Sequence, residues 1–167
     1  MTNLSIRLIL SDIRSTHNVG SIMRTADASA VELIYACGYT PYPTAPDDPR
    51  PGHVAWANTS AIAKTALGAE QTVPVLHIPD TLTALSEAKR DGFKIIVIEQ
   101  SEKSLNLYHY RPEGPVALVL GNEVTGLSEA ILSAADAVLE IPMLGRKESL
   151  NVSVAAAIAM YQLRFGS

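Results

Sequence analysis

Apolar runs at residues 4–10, 31–37, 73–78, 94–98, 116–120 and 137–141 recur along the chain, with helix-like segments between most of them. That alternation constrains the fold more than any other feature. It implies an α/β layer structure, with a mostly parallel sheet and flanking helices. Residues 81–90 illustrate the helical intervals: they follow Pro79 and stop before Gly92, a proline entry and a glycine exit. The interval 38–52 holds five prolines and two aspartates. It reads as a loop, and a loop of that length is more often functional or mobile than a plain connector. No repeat, low-complexity tract or linker divides the 167 residues, so a single domain, 1–167, is expected. A chain this size buries roughly two-thirds of its unfolded surface and needs no disulfide or metal staple.

Three segments carry chemical signals. In Ile141-Pro-Met-Leu-Gly-Arg-Lys-Glu-Ser-Leu-Asn-Val-Ser-Val, a strand-like run stops at Pro142, which cannot donate a ladder hydrogen bond. A charged loop, 145–148, follows. Ser149 or Asn151 can cap the next helix, which is apolar on every side up to Leu163. A surface helix normally keeps a polar face. Asn151 and Ser153 sit inside its apolar opening, where a buried amide or hydroxyl needs a partner. In Val116-Ala-Leu-Val-Leu-Gly-Asn-Glu-Val-Thr-Gly-Leu-Ser, an apolar strand runs into a turn bounded by Gly121 and Gly126. The spacing nearly matches a P-loop. Its lysine is missing, however, and Glu123 adds negative charge where a phosphate would sit, which leaves room only for a ligand not anionic at that point. In Ser11-Asp-Ile-Arg-Ser-Thr-His-Asn-Val-Gly-Ser-Ile-Met-Arg-Thr-Ala-Asp-Ala, Thr16 or Asn18 can cap a helix running to Ala30. Ser21, Arg24 and Ala28 share one face of it, and Ile22 and Ala26 point to the core. Gly20 admits another backbone or a ligand at close range. Singly, each segment has a plain reading: Arg24 paired with Asp27, Asn18 as a cap, 121–126 as an ordinary tight turn.

Together they are more specific. Asn18-x-Gly20-x-x-x-Arg24-x-Ala26, then Gly121-Asn-Glu123-x-x-Gly126-Leu127, then Ile141-Pro142-Met143 followed by Ser149-Leu150-Asn151-Val152-Ser153 resemble the three motifs of the SpoU (TrmH) family. These are RNA ribose 2′-O-methyltransferases of the SPOUT superfamily, and the resemblance covers roughly residues 8–163. It implies a SPOUT-type fold with a C-terminal deep trefoil knot, which periodicity alone would never suggest. It implies a pocket for S-adenosyl-L-methionine, lined by the loops after Leu120, after Ile141 and at Leu150. Ile98, Glu99, Gly121, Ile141, Met143 and Leu150 are the cofactor-binding residues so implied. The family is dimeric, so a homodimer with active sites built across the interface is expected. The catalytic role falls on Arg24 reaching in from the partner subunit, with Asn18, Glu123, Ser149 and Asn151 as a supporting polar network. A guanidinium is effectively always protonated. Arg24 therefore suits clamping a phosphate and polarising the ribose hydroxyl better than acting as a base. No metal is implied.

A net charge of −4 weighs against a generic nucleic-acid binder. Charge acts locally, within a Debye length of about 8–10 Å, and Arg14, Arg24, Arg146 and Lys147 fall in or beside the motifs. Weak, selective RNA binding is the expectation. Few residues flank the first strand and the last helix to carry an added RNA-binding segment, which favours tRNA as substrate, with ribosomal RNA as the alternative. His17, His53, His77 and His109 lack metal-ligand spacing. His53-Val-Ala-Trp56 could offer an aromatic surface to a base, although a lone tryptophan is more often core. Cys37 alone cannot form an internal bridge, which fits a reducing compartment, and it reads as a small apolar residue at a strand end. No apolar run spans a bilayer, and the first residues lack the basic head and apolar body of a signal peptide. No membrane association and a cytoplasmic location are expected. Two rivals remain: a SPOUT-like RNA-binding protein without transferase activity, and an unrelated α/β enzyme whose motifs match by chance.

Overall fold

The computed structural model describes residues 4–166. Its seven strands are β1 (Ile6–Ser11), β2 (Leu33–Cys37), β3 (Val75–Ile78), β4 (Lys94–Ile98), β5 (Leu105–Asn106), β6 (Val116–Leu120) and β7 (Ala137–Glu140). They form a sheet in the order β3-β2-β1-β6-β4-β7-β5, and every pairing is parallel. The six expected strands all form. β5 is the addition. At two residues it is too short to show any periodicity, and it pairs with the end of β7. β6 lies between β1 and β4, and β7 between β4 and β5, so late strands fill gaps among earlier ones.

Six helices cover the sheet: α1 (Thr16–Ala28), α2 (Gly52–Ala66), α3 (Ala69–Thr72), α4 (Thr81–Arg90), α5 (Glu129–Ala134) and α6 (Val152–Phe165). Side chains alternate faces along a strand. Val116, Leu118 and Leu120 of β6 therefore meet one layer, with Ile22 and Met23 of α1, Ile62 of α2 and Met160 of α6. Ala117 and Val119 meet the other layer, with Leu85 of α4 and Ile131 of α5. Burial on both faces explains why these strands read as continuous apolar runs. Among the described residues no helix is long and apolar enough to cross a membrane.

Several local expectations change. The cap of α1 is Ser15, whose hydroxyl accepts from the Asn18 N–H at 3.3 Å, so the Asn18 side chain is left for other partners. The helix ends at Ala28. A Cβ on Gly20 would stand 2.2 Å from Thr65 Oγ1 and 2.3 Å from the Ile62 carbonyl oxygen, so this glycine admits the backbone of α2 and not a ligand. Asp27 accepts from Thr72 Oγ1 at 2.6 Å, and among the described residues no ion pair joins it to Arg24. Asn151 caps α6, accepting from the Ser153 N–H at 2.9 Å, and is exposed instead of buried. Trp56 is 70% exposed and takes no part in the core. Cys37 is buried at the end of β2, where burial above all pushes its thiol up to about 12.

The proline-rich loop runs to Pro51, since Gly52 already begins α2. It is well fastened. Arg50 donates to both carboxylate oxygens of Asp48, Nε at 2.8 Å and Nη2 at 2.6 Å. The same guanidinium lies 3.5 Å from the centre of the Tyr42 ring, and Tyr42 stacks on His77. The hydrogen bond from Arg50 holds the Asp48 carboxyl well below the usual carboxylate range.

Candidate active site

The carboxyl ends of β4, β6 and β7 and the start of α6 enclose a cavity of about 550 Å³. Ligands of open parallel sheets bind at this end, because the loops leaving adjacent strands can part there. Ile98, Leu120, Ile141 and Val152 supply apolar walls. Four carboxylates, Glu99, Glu123, Glu140 and Glu148, also line the cavity, and among the described residues no lysine or arginine does. Such a lining suits a ligand carrying positive charge and repels a polyphosphate. Among the described residues no group of three or more His, Cys, Asp or Glu is placed to hold a metal ion.

Asn122 shapes the turn after β6. Its Oδ1 accepts from the N–H groups of Val124 at 2.8 Å and Thr125 at 2.9 Å. Its Nδ2 donates to the Asp12 carbonyl at 2.8 Å and the Tyr39 hydroxyl at 2.6 Å. Its carbonyl accepts from the Gly126 N–H at 3.0 Å. At 6% exposure an amide must satisfy all these groups internally, and this one does. Gly126 adopts φ 65°, a left-handed value, and a Cβ on Gly121 would stand 2.6 Å from Leu127 Cγ. The two glycines thus let the turn fold back over Leu127. Asn122 was not a candidate on sequence grounds. Its only signal is an amide two residues beyond a wholly apolar strand.

The three distant segments meet through side chains. Asn18 Nδ2 donates to Glu123 Oε1 at 2.8 Å, and Asn151 Nδ2 donates to Asn18 Oδ1 at 3.2 Å. Asn151 Oδ1 accepts in turn from Ser153, N at 2.9 Å and Oγ at 2.7 Å. Glu123 Oε2 also accepts from the Arg14 N–H at 3.2 Å. Burial pushes the Glu123 carboxyl up. The hydrogen bonds from Asn18 and from the backbone N–H groups of Glu123, Arg14 and Ser15 outweigh it, so the group is held below the ordinary glutamate value.

Of the sequence candidates, Ile98, Glu99, Gly121, Glu123, Ile141, Met143, Ser149, Leu150 and Asn151 line the cavity, so the structure brings them together. Asn18 joins them through Glu123 and Asn151. Arg24 stands apart. It is exposed on α1, six residues or about 9 Å beyond Asn18 along the helix axis, and it does not line the cavity of its own protomer. Gln100, Asn122, Val124, Glu140, Glu148 and Ala155 also line it without having been singled out.

Similar proteins share this architecture. A 23S rRNA (guanosine-2′-O-)-methyltransferase of Neisseria meningitidis is 35% identical over 167 residues, which cover 98% of this chain and 61% of that protein. A Staphylococcus haemolyticus protein named for the TrmH family of tRNA/rRNA methyltransferases is 32% identical over 160 residues, covering 96% of this chain and 58% of its own length. The chain thus spans about three-fifths of each of these relatives. Among solved structures, the TrmH/SpoU tRNA modifying enzyme of A. aeolicus superposes with a TM-score of 0.77 at 28% identity, over 95% of this chain and 73% of that one. An AdoMet-bound rRNA methyltransferase of Sinorhizobium meliloti gives 0.78 at 25% identity, over 95% and 55%. The model of the SpoU rRNA Methylase family matches residues 5–161, and this chain belongs to that family.

Proposed function

We propose that this chain is an S-adenosyl-L-methionine-dependent methyltransferase acting on the ribose 2′-oxygen of RNA. The observation that carries the reading is the hydrogen-bonded bridge from Asn18 through Glu123 and Asn151 at the edge of a cavity lined by carboxylates. The cofactor fits that cavity, because Glu99, Glu140 and Glu148 meet positive charge while Leu120, Ile141 and Val152 offer apolar surface. When bound, it supplies a methyl group on a sulfonium centre, and a neutral thioether leaves. The residues of the chain do the rest. Ser149 and Asn151, at the start of α6, orient the ribose at the cavity mouth. Glu123 stays ionised at neutral pH, which suits it to anchor Asn18 and not to take up a proton. Arg24 of the partner subunit clamps the adjacent phosphate and polarises the 2′-hydroxyl, whose proton passes to water.

The reading includes a homodimer. Val154, Tyr161 and Phe165 of α6 are exposed and Ile158 is half-buried, an apolar stripe at three-and-four spacing on a helix already packed inward through Ala156 and Met160. It also includes one SPOUT domain over 1–167 with a C-terminal trefoil knot. The interleaving of β6 and β7 among earlier strands and the return of α6 against α1 are consistent with that threading. Relatives are named for both tRNA and ribosomal RNA, so the target is taken as RNA, with tRNA tested first. The test is label transfer from methyl-labelled S-adenosylmethionine to unmodified tRNA and, separately, to ribosomal RNA fragments, followed by nucleoside digestion. Label on a ribose is expected. Label on a base, or on no RNA, defeats the reading.

A further inference from the structure

Tyr39 is exposed at 61%, yet it is fixed at both ends. Its phenolic oxygen lies 2.6 Å from Asn122 Nδ2, and Asn122 lines the cavity. Its backbone N–H donates to Asp12 Oδ1 at 3.1 Å. The segments before and after it are stitched together as well. Thr40 Oγ1, itself buried, donates to the Leu10 carbonyl at 2.9 Å and accepts from the Ile13 N–H at 3.0 Å. Asp12 and Gly38 face each other with φ of 55° and 61°, and a Cβ on Gly38 would stand 2.0 Å from Asp12 Oδ1. A non-glycine residue holds a left-handed backbone only where its surroundings enforce it. The result is an aromatic ring held rigidly in solvent beside the cavity. Burial does not account for its position, and its hydroxyl alone could be replaced by water.

A second group is tied to the same turn. The Arg14 backbone N–H donates to Glu123 at the cavity lining. Its side chain is exposed, and among the described residues its guanidinium makes no hydrogen bond or ion pair. An exposed ring and an unpaired cation on segments fastened to one turn match the two parts of an unpaired nucleotide, a base to stack and a phosphate to neutralise.

We propose that Tyr39 and Arg14 form a subsite for the unpaired nucleotide next to the one whose ribose enters the cavity, with the base stacked on Tyr39 and the phosphate at Arg14. The subsite rests on the RNA reading of the cavity and adds to it a requirement for single-stranded flanking RNA. Because the ring is already fixed, stacking on it costs little conformational entropy. Loss of one base–aromatic stack typically weakens single-strand binding about ten-fold.

The experiment measures fluorescence anisotropy of a labelled twelve-nucleotide single-stranded oligoribonucleotide of mixed sequence, with the duplex of the same sequence as control. Wild type, Tyr39→Phe, Tyr39→Leu and Arg14→Gln are compared, and S-adenosylmethionine affinity is followed in parallel by calorimetry. Wild type is expected to prefer the single strand. Tyr39→Leu should weaken it about ten-fold and Tyr39→Phe by no more than a few-fold, with cofactor affinity within two-fold throughout. Arg14→Gln should flatten the salt dependence by about one phosphate contact. The proposal is overturned if Leu binds as well as Tyr, if Phe falls as far as Leu, or if wild type binds neither strand form. Absence of methyl transfer by a wild-type protein that still binds the single strand through Tyr39 would defeat the proposed function and leave the subsite standing.

Discussion

Arg24 is the residue on which the proposed chemistry turns, and it touches nothing in its own cavity. Arg24→Ala should abolish methyl transfer while leaving S-adenosylmethionine affinity within a few-fold, as read by label transfer and calorimetry. Near-normal turnover would show that the role belongs elsewhere. Asn151 behaves differently. As an exposed cap it contributes about 1 kcal/mol to α6, so Asn151→Ala should lower the melting temperature by only about 2–4 °C in a chain of this size. Activity should fall much further, because the link to Asn18 is lost with the amide. The buried Cys37 thiol, raised to about 12, should resist a thiol reagent at pH 8 in the folded protein and react at once in denaturant. At this scale the sequence was partly legible. Asn18, Glu123 and Asn151 stand in recognisable spacing, but the burial of Asn122 and the exposure of Asn151 and Trp56 depend on contacts between segments tens of residues apart. Tyr39 gave no signal at all, since its fixing partners, Asp12 and Asn122, lie 27 and 83 residues away.

Elements were easier to foresee where their surroundings enforce one pattern. β6, and β4 from Ile95 onward, are packed on both faces and read as unbroken apolar runs. α4 has its expected bounds because Asp80 caps it and Gly92, at φ 86°, follows it. β5 could not be read, since two residues show no period and its pairing with β7 is set by tertiary structure. The crossing of α1 and α2 gives a sharp test. Gly20→Val must push against the Ile62 carbonyl, a backbone atom that cannot swing aside. Overpacking of this kind costs about 1–3 kcal/mol, visible as a lower urea midpoint with an unchanged slope. For α6, Tyr161→Asp places a charge in the exposed apolar stripe. Light scattering should show a dimer for wild type and a monomer for the variant, and a monomeric wild type would remove the interface from the proposal.

At the scale of the whole molecule, acid sensitivity has a defined sign. Glu123 holds a lower value in the folded chain than the ordinary 4.5. Its contribution to stability is therefore present above pH 4.5 and lost as pH falls through the lower folded value. Urea midpoints of wild type should be level in this respect between pH 6 and 8 and decline below 4.5. Glu123→Gln should be less stable at neutral pH and show a shallower acid decline; an identical decline in both proteins would place the sensitivity in other carboxylates.

The strand order has one more consequence. β6, between β1 and β4, is made only after both of the strands it joins. Until then β1 and β4 flank a missing centre, and at ordinary elongation rates of about 5–20 residues per second the nascent chain spends about a second or more with the facing edges of β1 and β4 unpaired. A stop codon between residues 98 and 116 would leave a sheet without a middle instead of one lacking an edge. Products terminated in that interval should therefore be substrates for chaperones and proteases.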